Sequence, residues 1–152
     1  MNVKGVIGRA CALLILTSVS AFADPAIKPS FQVPSTWVNQ RGSTLSIDSV
    51  DTASGRISGH YINRATGFQC KNTPYPMIGW IYGTAITFTV IWNNASESCN
   101  SLTSWTGFYQ RNQISTKWQL VVNGTTDPSK ILSGDDTFTA QPRVNRNSLT
   151  DK

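Results

Sequence analysis

From residue 35 to residue 139 apolar and polar positions alternate in short bursts, broken by clusters of Gly, Pro, Asn, Asp and Ser. A period of two sends successive side chains to opposite faces, the pattern of a half-buried strand. No long stretch keeps the 3.6-residue period of an amphipathic helix. The bursts are Ser35–Val38, Ser43–Val50, Arg56–Asn63, Pro76–Tyr82, Ala85–Trp92, Ser101–Gln110, Ser115–Val122 and Lys130–Thr139. The connectors "QRGS", "DTASGR", "YGT", "RNQ" and "NGTTDPS" carry turn residues, and most are short enough for hairpins. Each strand should therefore pair with the next. The pattern predicts an all-β fold, an eight-stranded antiparallel up-and-down β-barrel, because closure removes exposed strand edges.

Parity within the bursts then assigns faces. Ile86, Phe88, Val90 and Trp92 share one face; so do Thr116, Trp118, Leu120 and Val122, and so do Leu132, Gly134, Asp136 and Phe138. Asp136 is thus a carboxylate on an apolar face, costly unless hydrogen-bonded. Ser101, Thr103, Trp105, Gly107 and Tyr109 mix hydroxyls with aromatics on one face, and Ile57, Gly59, Tyr61 and Asn63 share another. Two readings fit. One is a filled core with satisfied polar groups. The other is a ligand cavity with convergent polar groups, since eight strands leave room for one small molecule. Trp80 shares parity with Ile78 and Tyr82 and reads as outer surface, either a subunit interface or plain exposure.

Composition adds the compartment. Lys4 and Arg9, then an apolar run ending in "AFA" at Ala23, read as a secretory signal peptide over residues 1–23. The run is too short to span a bilayer. Residues 24–34 read as a flexible lead-in, 35–140 as the barrel and 141–152 as a disordered tail. Cleavage removes two cations from a chain of formal charge +5, and the remaining basic residues are scattered. That charge suits solubility rather than nucleic-acid binding. Cleavage also removes Cys11 and leaves Cys70 and Cys99. An even count in an exported chain reads as a disulfide, worth roughly 3–4 kcal/mol on the chain-entropy model; two buried thiols are the other reading.

Catalysis finds little support. His60, the single histidine, has the parity opposite to Tyr61 and points outward. No serine–histidine–acid set, carboxylate pair or metal-ligand cluster assembles on the inward face, so neither an enzyme nor a metal site is expected.

The segments "TWVNQRGSTLSI", "GHYIN", "WNNASESCNSLTSWTGFY", "TKWQL" and "GDDTFT" together resemble the avidin and streptavidin family of biotin-binding proteins. The resemblance spans about Thr36 to Thr139. It implies biotin, held without any cofactor, at the open end of the barrel. On the matching positions, Asn39, Ser43 and Tyr61 would donate to the ureido oxygen. Asp136 would accept one ureido N–H, and Asn63, where many members carry serine, would accept the other. Thr103 would face the thioether sulfur and Ser101 the valerate carboxylate. Ala65 and Thr66 would meet the acid tail through backbone groups. Trp92, Trp105 and Trp118 would wall the site. A lipocalin-like carrier of another small molecule is the alternative, but its pocket would be mainly apolar.

One family feature is missing. Tetrameric members cap the ligand with a tryptophan from a neighbouring subunit, and that position here is Ser129. "RATGFQCKNTPYP" and "NNASESCNS" resemble instead a dimeric, disulfide-bearing bacterial branch. That branch implies a Cys70–Cys99 bond, a homodimer, and a secreted or periplasmic location, with no membrane or nucleic-acid partner.

Overall fold

The computed structural model describes residues 29–142. The expected signal peptide, and the tail from residue 143 onward, lie outside the described residues. The strands are β1 (Ser35–Asn39), β2 (Thr44–Val50), β3 (Arg56–Ile62), β4 (Pro74–Tyr82), β5 (Ala85–Trp92), β6 (Ser101–Gln110), β7 (Gln113–Val122) and β8 (Leu132–Ala140). They form one closed antiparallel barrel in chain order.

Alternation in the sequence becomes alternation in burial. Along β4, Tyr75, Met77, Gly79 and Ile81 are buried while Pro74, Pro76, Ile78, Trp80 and Tyr82 face out. On the inner face Phe88 stacks on Trp105 with centroids 4.9 Å apart, and Leu45, Ile47, Ile57, Val90 and Ile114 are fully buried around them. Each such side chain contributes about 1.5–3 kcal/mol by leaving water. β4 and β7 begin earlier than the alternation predicts, at Pro74 and Gln113. β8 begins later. Pro128–Lys130 form a single 3₁₀ turn whose cap is Asp127, accepting from Ser129 N at 2.9 Å and Ser129 Oγ at 2.8 Å.

Two features finish the barrel. Residues in the segment expected to be flexible pack onto its closed end: Phe31 lies edge-on to Trp37 and Tyr109, at 5.2 and 5.3 Å, and Ser30 Oγ donates to Gly83 O. The seam between β1 and β8 has three paired positions, against ten between β6 and β7. The side chain of Gln40 extends that seam. Its Nε2 donates to Asp135 O at 3.0 Å and its Oε1 accepts from Thr137 N at 2.9 Å.

Candidate functional site: a cavity at the open end

Up-and-down topology places the loops 40–43, 63–73, 93–100 and 123–131 together at one end. Between them the barrel holds a cavity of about 390 Å³. That is the size of a small-ligand site. The cavity reading of the inward polar residues therefore holds over the filled core.

At its floor, Asn39 ends β1 and Ser43 precedes β2. Asn39 Oδ1 is committed to the turn, accepting from Arg41 N at 3.0 Å and Ser43 N at 2.8 Å. Its amide nitrogen is thereby turned inward, 3.4 Å from Tyr61 Oη. Ser43 Oγ accepts from Arg64 N at 2.9 Å and donates to Asn63 Oδ1 at a long 3.5 Å, so its proton is only weakly held. Tyr61 is nearly buried and stacks on Trp105 at 4.9 Å. Burial, then the charge of Asp136, hold its hydroxyl far above the usual phenol pKa, so it stays a neutral donor. Three donors thus converge, as an electronegative oxygen requires.

Opposite them is an acceptor. Asp136 is buried, and its Oδ2 accepts from Trp105 Nε1 at 2.9 Å while Oδ1 accepts from Gln40 Nε2 at 3.2 Å. Burial raises its pKa above 3.8, and this is opposed by the Trp105 N–H, the Arg41 charge, Asn39 and Gln40. Asn63 is buried too. Its Oδ1 accepts from Ala65 N at 3.0 Å and its Nδ2 donates to Gln69 O at 3.0 Å. That oxygen also accepts from Ser43 Oγ, at a long 3.5 Å.

The walls are indoles. Trp92 Nε1 donates to Thr103 Oγ1 at 2.8 Å, so the threonine proton is free to point into the cavity. A Cβ on Gly134 would lie 2.6 Å from the Trp118 ring; glycine makes room for that wall. Towards the mouth, Ser101 Oγ donates to Cys99 O at 2.8 Å. Cys70 and Cys99 form a disulfide, with Cα atoms 6.0 Å apart, tying the β3–β4 loop to the β5–β6 loop. Glu97 adds a second tie by accepting from Cys70 N.

Of the residues singled out in the sequence, Asn39, Ser43, Tyr61, Asn63 and Ala65 line the cavity, and so do Trp92, Ser101, Thr103, Trp105, Trp118 and Asp136. Thr66 does not line it and is exposed, although Ala65 before it and Gly67 and Phe68 after it do line it. Three contributors were not singled out. Arg41 and Phe68 line the cavity, with Phe68 edge-on to Trp118 at 6.3 Å, and Gln40 grips Asp136. An aromatic beside Cys70 in "GFQC" was a readable hint of Phe68. His60 projects outward, its Nδ1 3.2 Å from Asp48 Oδ2. Among the described residues no three His, Cys, Asp or Glu side chains cluster as a metal site, and no helix is long and apolar enough to cross a membrane.

The sequence model of the Avidin family matches residues 28–141. The chain belongs to the avidin family. Afifavidin from Afifella pfennigii is 44% identical over 126 residues, covering 80% of this chain and 74% of that protein. The structure of apo shwanavidin is 56% identical, with TM-score 0.68, over 72% of this chain and 96% of the other. The rhizavidin–biotin complex is 45% identical, with TM-score 0.67, over 78% and 99%. Within the avidin family fold, the convergent donors and Asp136 line the cavity at the open end of the barrel, and the relative rhizavidin was solved with biotin.

Proposed function

We propose that this protein binds biotin non-covalently at the open end of its barrel, as a binding protein rather than an enzyme. The observation that carries the reading is the opposition of three donors, Asn39, Ser43 and Tyr61, to the buried acceptor Asp136 inside a box of indoles. A cyclic urea needs that set: donors for its oxygen and acceptors for its N–H groups. Asp136 takes one N–H, and Asn63 Oδ1 takes the other once Ser43 Oγ turns its proton from it to the ureido oxygen. The Thr103 proton meets the sulfur. Ser101 meets the carboxylate after exchanging its bond to Cys99 O, and Phe68 closes the outer side of Trp118. A mainly apolar cargo would leave these polar groups unpaired, which disfavours a lipocalin-like role.

The test is thermal unfolding of the oxidised protein with and without biotin. A ligand that binds only the folded state raises the midpoint by mass action. A large rise with biotin and none with a retinoid is the expected result; no rise with biotin refutes the reading.

We also propose a homodimer and a secreted or periplasmic location. The disulfide favours an oxidising compartment. Ile78, Trp80 and Tyr82 on β4 and Phe108 on β6, the two strands that flank β5, are large hydrophobic side chains 37–76% exposed on the outer face. An apolar patch of this kind suits a second copy of the chain. Sedimentation should give twice the chain mass, and a monomer at micromolar concentration counts against the dimer.

A further inference from the structure

Arg64 lies near the start of the β3–β4 loop and reaches the neighbouring β1–β2 turn along the rim of the mouth. Its backbone N–H donates to Ser43 Oγ at 2.9 Å. Its guanidinium Nη1 donates to Gly42 O at 3.2 Å and also to Thr44 Oγ1. One residue therefore grips Ser43 and both its chain neighbours. Gln40 anchors the start of the gripped turn to Asp135, Asp136 and Thr137 of β8. Past it the turn's backbone bonds are its own, Asn39 N to Ser43 O and Gly42 N to Asn39 O, both 2.9 Å, with Asn39 Oδ1 accepting from Arg41 N and Ser43 N. Gly42 sits at φ +81° with nothing within 4 Å of where a Cβ would be.

The gripping side, by contrast, is braced. Asn63 Nδ2 holds Gln69 O at 3.0 Å, Asn72 N holds Asn63 O at 2.9 Å, and the Cys70–Cys99 disulfide pins the loop. A braced loop thus carries a strap onto the Gly42–Thr44 side of the turn, away from the Gln40 anchor. The guanidinium ends on the two residues that flank Ser43, whose hydroxyl proton has to face the ligand.

We infer that Arg64 is a positioning residue for the ligand's head group, holding the Ser43 hydroxyl on target and slowing biotin release; the inference rests on the biotin reading above. Arg64 is exposed and its acceptors are neutral, so the effect is one of geometry rather than of charge. An ammonium with three donors can serve the same two acceptors less rigidly than a guanidinium.

A double-mutant cycle on biotin release tests this, using Arg64→Met, Arg64→Lys, Ser43→Ala and the Met–Ala pair. Arg64→Met should speed release about tenfold, and Arg64→Lys should stay within about threefold of the native rate. In the Ser43→Ala background Arg64→Met should change release less than about twofold, because the two residues act as one unit. Amide exchange should quicken at Ser43 and stay unchanged at Thr103. A native rate in Arg64→Met, an equal effect in both backgrounds, or equal quickening at both amides overturns the inference while leaving biotin binding intact. Failure of the native chain to bind biotin overturns both.

Discussion

Asparagine at position 136 keeps the shape of the carboxylate and removes one acceptor. Asp136 faces three donors in the proposed complex: Trp105 Nε1 on Oδ2 at 2.9 Å, Gln40 Nε2 on Oδ1 at 3.2 Å, and a ureido N–H. A carboxylate satisfies all three. An amide has one oxygen and one NH₂, so either orientation turns a donor against a donor. The loss comprises a charge-assisted bond, about 1.5–3 kcal/mol, and a buried unsatisfied N–H, about 1–3 kcal/mol. Together they predict Kd rising by about two to four orders of magnitude in Asp136→Asn. The unliganded fold should hardly notice. Burial already disfavours the charge, as the raised pKa indicates, so losing it offsets the mismatched donor. Titration calorimetry with competing ligand, beside the unliganded melting midpoint, measures both. A Kd within about fivefold of native would refute the assignment of Asp136. A fall of the unliganded midpoint matching the affinity loss would refute the separation of binding from stability.

Four further outcomes follow from the same geometry. The pKa of Asp136 is raised above 3.8 in the free protein and should drop when biotin donates to the ionised form, so affinity should fall as pH descends through a midpoint above 3.8; affinity flat from pH 7 to 3 would contradict this. The same raised pKa lets Asp136 lower the stability of the free fold as pH rises through that window, which urea midpoints on the unliganded protein can follow. Cys70→Ser with Cys99→Ser should cost roughly 3 kcal/mol of stability and speed biotin release, since the open chain regains loop freedom; denaturant unfolding and a chase experiment test the two parts. Gly134→Ala should force a Cβ to within 2.6 Å of the Trp118 ring, and weakened binding with quenched or shifted indole fluorescence is the expected signature.

The barrel was legible because most connections carry turn residues and the strands are amphipathic with period two. The site was legible where parity broke, since Asp136 and Thr103 are polar residues on faces otherwise committed to the core. Parity also hid a contributor. Gln40 points away from Asn39 in sequence logic, yet it works where β1 and β8 part, by substituting side-chain amides for lost ladder bonds. Loops were the second blind spot, because alternation says nothing about irregular backbone. Thr66 and Phe68 are two residues apart in one loop, and the exposed one was chosen while the cavity-lining one was not. The grip of Arg64 needs a fold before it exists: it joins positions about twenty residues apart. Phe31 was lost to composition, as its polar, proline-bearing surroundings look like a linker.

The packing of Phe31 on Trp37 and Tyr109 also decides where attachments belong. Ser30 is fixed to Gly83 at that end, and Gln141 N bonds Thr36 O beside it. The points where the described chain enters and leaves therefore share the side facing away from the mouth. A dye, a surface tether or a fused protein grafted next to residue 30 or 141 would stand behind the barrel, with the ligand entrance facing free solution.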